Sequence, residues 1–481
     1  MTLSRGGGIG CLTALVAVAF ALRVATLGQS LYGDELYTYA DVVGRSLGDA
    51  LRQVHALEDT PPLYFLLAWL SAKLGDPAVT LRLPSLLLGT AAVPVTYLLG
   101  RRMVSQAAAL VGAALVALSP FLIFHAGDAR AYGALLCLAP LSTLALLRVV
   151  DGGGRGSWFA LVGATAAALM THYTAVFVVA AQLVWAVGFR AGHQKRVVSA
   201  HAVAALGLIA ILLSGSEAGV AENAGLFPFS LDVVAGQTAR ALVGGPFTPL
   251  SQIPGSVAAA LVALAALAAL AGARREALHR PPDRLVLAVM LALAAPAGVL
   301  LYSAAFSSIF TARNLTSSLP ALALLAGAIV SAGHGRRRRS VAIAALLVAF
   351  LVAASTTLTA SARRPPFDAA ARFIDEEVDT ADGVVQLDSF PVPYPGGRDP
   401  LLDSLRLYLA RPEQAQRLTL EDRAAWRALS KRPRIFVSVG QITGLKGVPP
   451  PPRLPVRWRL VARRSWDGFA PVAVFVYRPS G

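Results

Sequence analysis

Cysteine and charge are both scarce in this chain of 481 residues. The two cysteines, Cys11 and Cys137, stand inside apolar runs, so a fold held together by disulfides is not expected. No group of cysteines and histidines has the spacing of a zinc site. Charged residues make up 15% of the chain and hydrophobic residues 56%, with a mean hydropathy of +0.60. A soluble domain does not need so much apolar content, so the composition indicates a polytopic membrane protein.

Acidic residues are also few, because 27 Asp and Glu stand against 43 Lys and Arg and leave a net charge of +16. Such a surplus can indicate nucleic-acid binding when the basic residues line one face. In this chain the arginines instead form short clusters between apolar runs. That distribution is typical of the positive-inside rule of membrane proteins, so a nucleic-acid partner is not expected.

Apolar runs of membrane-spanning length predict about eleven transmembrane helices. The runs lie at 9–27, 83–100, 106–124, 131–150, 157–172, 174–190, 197–214, 254–272, 285–305, 314–332 and 340–358. The first run follows Arg5 and contains Ala19-Phe20-Ala21, which mimics a signal-peptide cleavage site. We favour an uncleaved first helix because polytopic proteins commonly begin with one. Cleavage would leave Asp34 outside the cytoplasm in either case.

The orientation of the helices follows from the basic residues. With a cytoplasmic N-terminus, every dense basic cluster between the spans falls on the cytoplasmic side. These clusters are Arg101-Arg102, Arg148 with Arg155, Arg190 with Lys195-Arg196, Arg274-Arg275 with Arg280 and Arg284, and Arg336 to Arg339. The run from Leu63 to Leu74 would reverse this pattern if it crossed, and it is too short to cross. With Tyr64 and Trp69 it suits the outer interface, so residues 28–82 are predicted to form one external loop.

The apolar runs end near Thr359, and the pattern changes to that of an α/β domain. Strand-like stretches occur at 383–387, 434–439 and 472–477, and helix-like stretches at 367–377 and 398–410. We therefore predict a mostly α-helical protein with two parts. Residues 1–359 form a transmembrane bundle with interfacial helices in its first external loop, and residues 360–481 form a small α/β domain outside the cytoplasm.

Polar side chains collect at the predicted outer ends of the helices. They are Asp34 and Glu35 in the first external loop, Arg82 at the start of the second span, Asp128, Arg130 and Tyr132 in the next external loop, and His172 and Arg313 in two outer turns. Adjacent carboxylates at a membrane surface are costly and indicate a functional site.

Each of these residues also has a simpler interpretation. Asp34 can serve as the N-cap of a surface helix, and Arg82 or Arg313 can reach towards lipid headgroups. Asp128 and Arg130 can neutralise one another. Tyr132 suits the aromatic belt, and a histidine in a turn, such as His172, more often satisfies local hydrogen bonds than it catalyses a reaction.

The order of the motifs resembles the GT-C glycosyltransferases of the protein-O-mannosyltransferase and aminoarabinose-transferase type, over about residues 10–330. The matching pieces are Asp34-Glu35, Pro61-Pro62-Leu63-Tyr64, Arg82-Leu83-Pro84-Ser85, Ser119-Pro120-Phe121, Asp128-Ala129-Arg130-Ala131-Tyr132, His172-Tyr173 and Arg313-Asn314. One departure is Asp128, where relatives often carry a glutamate, which has the same charge and a longer reach. The C-terminal part matches no family that we recognise.

The resemblance implies an integral-membrane enzyme that moves a sugar, mannose or another hexose or pentose, from a polyprenyl-phosphate lipid to an extracytoplasmic glycan, lipid or protein. The phosphate is a competent leaving group, so the reaction needs one general base and several cations. By resemblance Asp34 is the base of an inverting displacement, Glu35 orients an arginine or the acceptor, and Asp128 belongs to the catalytic set. Donor phosphate or substrate contacts fall to Arg82, Arg130, Tyr132, His172 and Arg313. No cofactor is required by this scheme, and a divalent metal at Asp34 and Asp128 stays open.

Two other classes of function compete with this interpretation. A transporter or flippase of lipid-linked substrates would show internal repeats and polar groups at mid-membrane depth. We find no convincing repeat, and the polar residues lie near one face. A non-catalytic membrane assembly protein could keep the fold without activity, but the intact Asp34 argues against it.

Overall fold

The computed structural model describes residues 5–58, 60–214, 229–242, 244–245, 282–332, 335–387, 403–440, 447–455 and 457–480. The chain divides into two compact units. The first comprises residues 1–27 and 41–357, and the second comprises residues 28–40 and 358–481. The sequence grouped residues 28–40 with the bundle, whereas in the structure this short segment packs with the C-terminal residues.

Most helices before the C-terminal residues begin and end close to the predicted apolar runs. The helices are α1 (Arg5–Val24), α2 (Asp34–Val42), α3 (Leu47–Leu57), α4 (Leu63–Ser71), α5 (Pro77–Thr80), α6 (Leu83–Met103), α7 (Gln106–Leu118), α8 (Pro120–Ala126), α9 (Tyr132–Val150), α10 (Arg155–Leu169), α11 (Ala175–Phe189), α12 (Gln194–Leu213), α13 (Leu231–Leu242), α14 (Asp283–Ala305), α15 (Leu319–Ala332) and α16 (Arg336–Thr356). Helices α2, α3, α5 and α13 correspond to no predicted run, and the run 106–124 forms two helices, α7 and α8.

Within the described ranges, seven helices are long and apolar enough to cross a membrane, or eight if the bent pair α7–α8 counts as one span. This confirms a multi-pass membrane protein. The predicted runs near α10 and α11 form helices of only 15 residues each, shorter than the usual span of about 20. Residues 63–74 form a short apolar helix, as predicted, and the predicted span 254–272 lies outside the described residues.

A bend of 62° separates α7 from α8. Ser119 ends α7 in an extended conformation and caps α8, its Oγ accepting the Leu122 N–H at 3.3 Å, while Pro120 occupies the first turn. Arg23 of α1 is fully buried and donates to the carbonyls of Val116 (3.3 Å) and Ala117 (3.4 Å) at the end of α7. The break leaves helix carbonyls without partners in the helix, and the guanidinium supplies donors to them.

Small residues allow α7 and α15 to approach backbone to backbone. A Cβ added at Gly327 would lie 2.4 Å from the Ala108 carbonyl oxygen, and one added at Gly112 would lie 3.2 Å from the Leu324 backbone. Small residues at such contacts are the usual means of helix association in membranes. The two helices therefore form a tightly packed pair inside the bundle.

The second unit contains a five-stranded mixed sheet in the order β2-β1-β3-β5-β4. Strand β1 is parallel to β2 and β3, whereas β5 is antiparallel to β3 and β4. Its elements are α17 (Phe367–Glu377), β1 (Gly383–Leu387), β2 (Ala415–Leu418), α18 (Arg423–Leu429), β3 (Ile435–Gly440), β4 (Trp458–Trp466) and β5 (Val472–Pro479).

Helices cover both faces of this sheet, which explains why its central strands are buried and mostly apolar, with Gln386 and Ser438 as the polar exceptions. Val384 packs with Ile374 of α17, and its neighbour Val385 faces the opposite way and packs with Trp426 of α18. The three predicted strands and the helix at 367–377 are confirmed. The helix predicted at 398–410 is wrong for its described part, where only a short 3₁₀ turn occurs at Arg406–Tyr408, and strands β2 and β4 were not predicted.

Candidate active site

The paired carboxylates lie where α2 begins, in the second unit. Gly33 turns the chain into this helix with a φ of +58°, a conformation that side-chain-bearing residues rarely adopt. Asp34 is half-buried, whereas Glu35 is fully buried. The two neighbouring acids therefore face different surroundings, and only Asp34 keeps access to solvent.

Glu35 forms a buried ion pair with an arginine that precedes α17. The Arg364 Nε lies 3.1 Å from Glu35 Oε2, and the two side chains are 1% and 0% exposed. The same carboxylate oxygen accepts the backbone N–H of Tyr32 at 3.1 Å. Glu35 therefore ties the turn in front of Asp34 to Arg364, a residue that the sequence analysis did not identify.

The residues just before this turn are held by other groups of the second unit. Ser30 Oγ donates to Asp368 Oδ1 at 2.6 Å, and the Leu31 N–H donates to the Tyr408 hydroxyl at 2.6 Å. Burial, followed by the charge of Asp34, raises the pKa of Tyr32. Tyr32 therefore stays a neutral phenol next to the carboxylate.

Arg130 is held in the first unit by a carboxylate that the sequence analysis also missed. Its two terminal nitrogens donate to the two oxygens of Glu58 at 2.8 Å each, in a bidentate pair with both side chains about 10% exposed. The Arg130 carbonyl accepts the Ser85 hydroxyl at 2.6 Å. In the sequence, Glu58 stands directly before Asp59-Thr60-Pro61-Pro62. Only this closeness to the Pro-Pro motif could have marked Glu58 as a candidate site residue.

Asp41 lies against this ion pair and is 3% exposed. Its Oδ2 is enclosed and has no hydrogen-bond partner among the residues that the structure describes. Burial and the neighbouring Glu58 carboxylate raise the pKa of Asp41, and these effects outweigh the lowering by Arg130 and Arg45. A carboxyl group in such surroundings favours its protonated form.

His172, Tyr132 and Arg313 form the second half of the cluster in the first unit. His172 Nδ1 accepts the Thr174 N–H at 3.2 Å, which leaves the proton of a neutral ring on Nε2. Burial, followed by the positive charges of Arg313 and Arg130, lowers the pKa of His172, so the neutral form prevails. The Tyr132 ring lies 5.5 Å from the His172 ring, and the Arg313 guanidinium lies 5.9 Å from the Tyr132 ring.

Asp128 and Arg82 occupy buried positions with local partners. Asp128 Oδ2 lies 3.5 Å from His125 Nδ1, and the His125 ring contacts Tyr132 at 4.9 Å. Arg82 is fully buried, and its Nη1 donates to the Leu27 carbonyl at 2.7 Å. Among the described residues, no three His, Cys, Asp or Glu side chains are grouped so that they could hold a metal ion.

The structure thus brings several of the predicted residues together in the first unit, namely Asp128, Arg130, Tyr132, His172 and Arg313. Asp34 and Glu35 belong to the second unit. Glu58, Asp41, His125 and Arg364 are additional charged or titratable residues of these two groups. Together the first-unit group offers cations and neutral donors, and the second-unit group offers one accessible carboxylate.

Residues 59–214 match the family model described as dolichyl-phosphate-mannose-protein mannosyltransferase. A search of curated protein sequences gives no match. Among solved structures, ArnT from Cupriavidus metallidurans bound to undecaprenyl phosphate is similar, with a TM-score of 0.55, 14% identity and 98% coverage of both chains. The Archaeoglobus fulgidus oligosaccharyltransferase has a TM-score of 0.52 and 11% identity over 78% of this chain and 59% of its own length.

The arabinofuranosyltransferase AftD from mycobacteria gives a TM-score of 0.50 and 16% identity over all of this chain and 40% of its own length. At such identities the similarity establishes the fold. The resemblance that the motif order indicated is confirmed at this level. This chain is a multi-pass membrane protein with the fold of the GT-C glycosyltransferases.

Proposed function

We propose that this protein transfers a sugar from a polyprenyl-phosphate lipid to an acceptor outside the cytoplasm, with Asp34 as the general base. The observation that carries the proposal is the different burial of the paired acids. Glu35 is sealed in its ion pair with Arg364, while Asp34 remains accessible at the start of α2. A displacement with a phosphate leaving group needs one base, and the pair supplies one carboxylate that a substrate can reach.

The cations of the first unit and one structure of similar fold support a phosphate-bearing lipid donor. ArnT, a protein of similar fold, was solved with undecaprenyl phosphate bound. Arg313 is partly exposed, whereas Arg82 is fully buried and Arg130 is engaged by Glu58. We therefore assign the main phosphate contact to Arg313, with the Nε2–H of neutral His172 and the Tyr132 hydroxyl as neutral donors beside it.

In the proposed reaction the acceptor hydroxyl gives its proton to Asp34 as its oxygen attacks the anomeric carbon of the sugar. The bond between that carbon and the phosphate oxygen breaks, and the bonding electrons leave with the polyprenyl phosphate. A single displacement inverts the anomeric centre. The dianionic leaving group is stabilised by Arg313 and needs no proton from a carboxylic acid.

The experiment incubates purified protein in lipid with a panel of labelled polyprenyl-phosphate sugars and follows consumption of the donor. Binding of undecaprenyl phosphate is measured in parallel. Asp34→Asn should keep lipid binding and lose about 10²–10⁴-fold in transfer rate, because the amide cannot accept the proton. Arg313→Ala should weaken lipid binding, and Arg313→Lys should weaken it less, since an ammonium keeps the charge and loses the planar fork.

Thermal stability of each variant is the control for misfolding. A fully active Asp34→Asn protein would return this pair to the role of a helix cap. Movement of the labelled lipid across the bilayer without donor consumption would favour a flippase. Lipid binding without transfer of any sugar in the panel would favour a non-catalytic assembly protein.

A further inference from the structure

We propose that Arg364 is a positioning residue for the transfer reaction, because it holds Glu35 and thereby the turn that presents Asp34. The inference rests on the proposed function. It assigns a task in that reaction to a side chain of the C-terminal residues, which the sequence analysis left without a role.

The ion pair between Arg364 and Glu35 is closed off from solvent. Arg364 Nε and Glu35 Oε2 are 3.1 Å apart, and neither side chain is more than 1% exposed. A charge pair removed so completely from water is expensive to form and expensive to break, because loss of one partner leaves the other charged and unsolvated. Arg364 therefore fixes the position of the Glu35 carboxylate.

One oxygen of Glu35 is shared by two donors. Glu35 Oε2 accepts both the Arg364 Nε–H and the Tyr32 backbone N–H at 3.1 Å. Asp34 lies between these two attachment points, one residue before Glu35 and two residues after Tyr32. Next to it, Gly33 has a positive φ, and among the described residues no atom lies within 4 Å of a Cβ added there. The carboxylate of Glu35 therefore links the backbone before Asp34 to Arg364 through a single acceptor oxygen.

The residues before the turn have anchors that do not involve the Arg364 side chain. The start of the segment is anchored independently of Glu35, by Ser30 to Asp368, by Leu31 to Tyr408 and by the Gln29 side chain, whose oxygen accepts the Arg364 backbone N–H at 3.0 Å. The last of these contacts uses only the main chain of Arg364 and survives its substitution. Loss of the guanidinium should therefore loosen the turn at Asp34 and leave residues 29–31 in place.

The experiment compares Arg364→Met, Arg364→Lys, Glu35→Gln and the double variant Glu35→Gln/Arg364→Met in the full chain. Arg372→Met is the matched control, because Arg372 pairs with Asp368 at 2.9 Å on the surface of α17 and is 66% exposed. Two quantities are measured, namely kcat and KM for the donor, and hydrogen exchange of the Glu35 and Leu36 amides, which donate to the Tyr32 and Gly33 carbonyls.

Arg364→Met should lower kcat by about 10–10²-fold with little change in donor KM, since a displaced base costs rate and not lipid binding. The same variant should exchange the Glu35 and Leu36 amides faster than wild type. Arg364→Lys should recover part of kcat. The double variant should lose less than the product of the two single losses, because the two side chains act as one unit.

Three results would overturn the inference: wild-type kcat in Arg364→Met, unchanged exchange at Glu35 and Leu36, or losses in Arg372→Met as large as in Arg364→Met. The amide exchange does not depend on any sugar transfer. If Asp34→Asn is inactive and Arg364→Met is fully active, the proposed function stands and the positioning role fails. If Asp34→Asn is fully active, the assignment of Asp34 as the base fails, and the exchange data alone decide whether Arg364 holds the turn.

Discussion

Asp41 illustrates how the surroundings of one side chain alter its chemistry. Its carboxyl group is enclosed beside Glu58, and one of its oxygens has no hydrogen-bond partner among the described residues. Burial and the Glu58 charge raise its pKa. Folding then takes up a proton at a pH where the unfolded chain has released it. The stability that this proton supplies is fully present below the ordinary aspartate pKa and is lost as the pH rises through the raised value.

Asp41→Asn should remove this loss of stability at high pH, because the amide has the shape of the protonated acid and cannot ionise. We expect the variant to match wild type at about pH 4 and to exceed its Tm by on the order of 2 °C at about pH 9. Thermal unfolding at the two pH values measures the effect. Asp49→Asn is the control, because Ser46 and Arg52 lower the pKa of the exposed Asp49 carboxyl group. Replacing Asp49 should therefore give no increase in Tm at alkaline pH. A wild-type pH profile in Asp41→Asn would contradict the assignment.

At the scale of helices, the bundle depends on close approach between backbones. The contact of α15 with α7 leaves no room for a methyl group at Gly327, because the nearest atom would be the Ala108 carbonyl oxygen. That atom is part of a helix and cannot move aside as a flexible side chain would. The energetic value of the small residue therefore lies in packing and not in conformational freedom.

Gly327→Ala should destabilise the protein by about 1–3 kcal/mol, the usual cost of overpacking a core. Gly163→Ala in α10 is the matched control, since nothing lies within 4 Å of its added Cβ and alanine favours a helix by up to about 1 kcal/mol. Unfolding in detergent at increasing denaturant measures both variants. Equal effects of the two substitutions would show that the α7–α15 contact is not as close as described.

At the scale of the whole molecule, the orientation in the membrane remains a prediction from the arginine clusters. It places the loop 28–82 outside the cytoplasm and the turn between α6 and α7 inside. Ser46 and Ser105 offer matched positions, because both are exposed and both cap a helix through their hydroxyl, at Asp49 N and Ala108 N respectively.

In a background lacking Cys11 and Cys137, Ser46→Cys should react with an impermeant thiol reagent in intact cells, and Ser105→Cys should react only after the membrane is opened. Each substitution removes one capping hydroxyl, and thermal stability of both variants shows whether a difference in labelling reports sidedness or folding. The reverse pattern would overturn the predicted orientation and the extracytoplasmic location of Asp34.

The membrane class, most spanning helices and the central strands could be predicted from the sequence. A chain in lipid must satisfy its backbone within each helix, so long apolar runs mark spans directly. Strands covered on both faces, such as β1 and β3, are mostly apolar and are recognised by their valine and isoleucine content. Strand β4 escaped prediction because its Arg-rich, exposed sequence has no such pattern, and the short β2 is recognised only by its pairing with β1.

The pairing of charged side chains became known only from the folded arrangement of the chain. Glu35 pairs with Arg364 and Arg130 pairs with Glu58, and in both pairs the partners are distant in the chain. An ion pair between distant positions produces no periodic pattern by which it could be predicted from the sequence. The bend of 62° at Ser119-Pro120 lies inside the run 106–124 that was predicted as one span, and its angle depends on the helices around it. Local hydrogen bonding and hydropathy act between near neighbours and can be read along the chain, whereas ion pairing and close packing depend on where folding brings remote segments together.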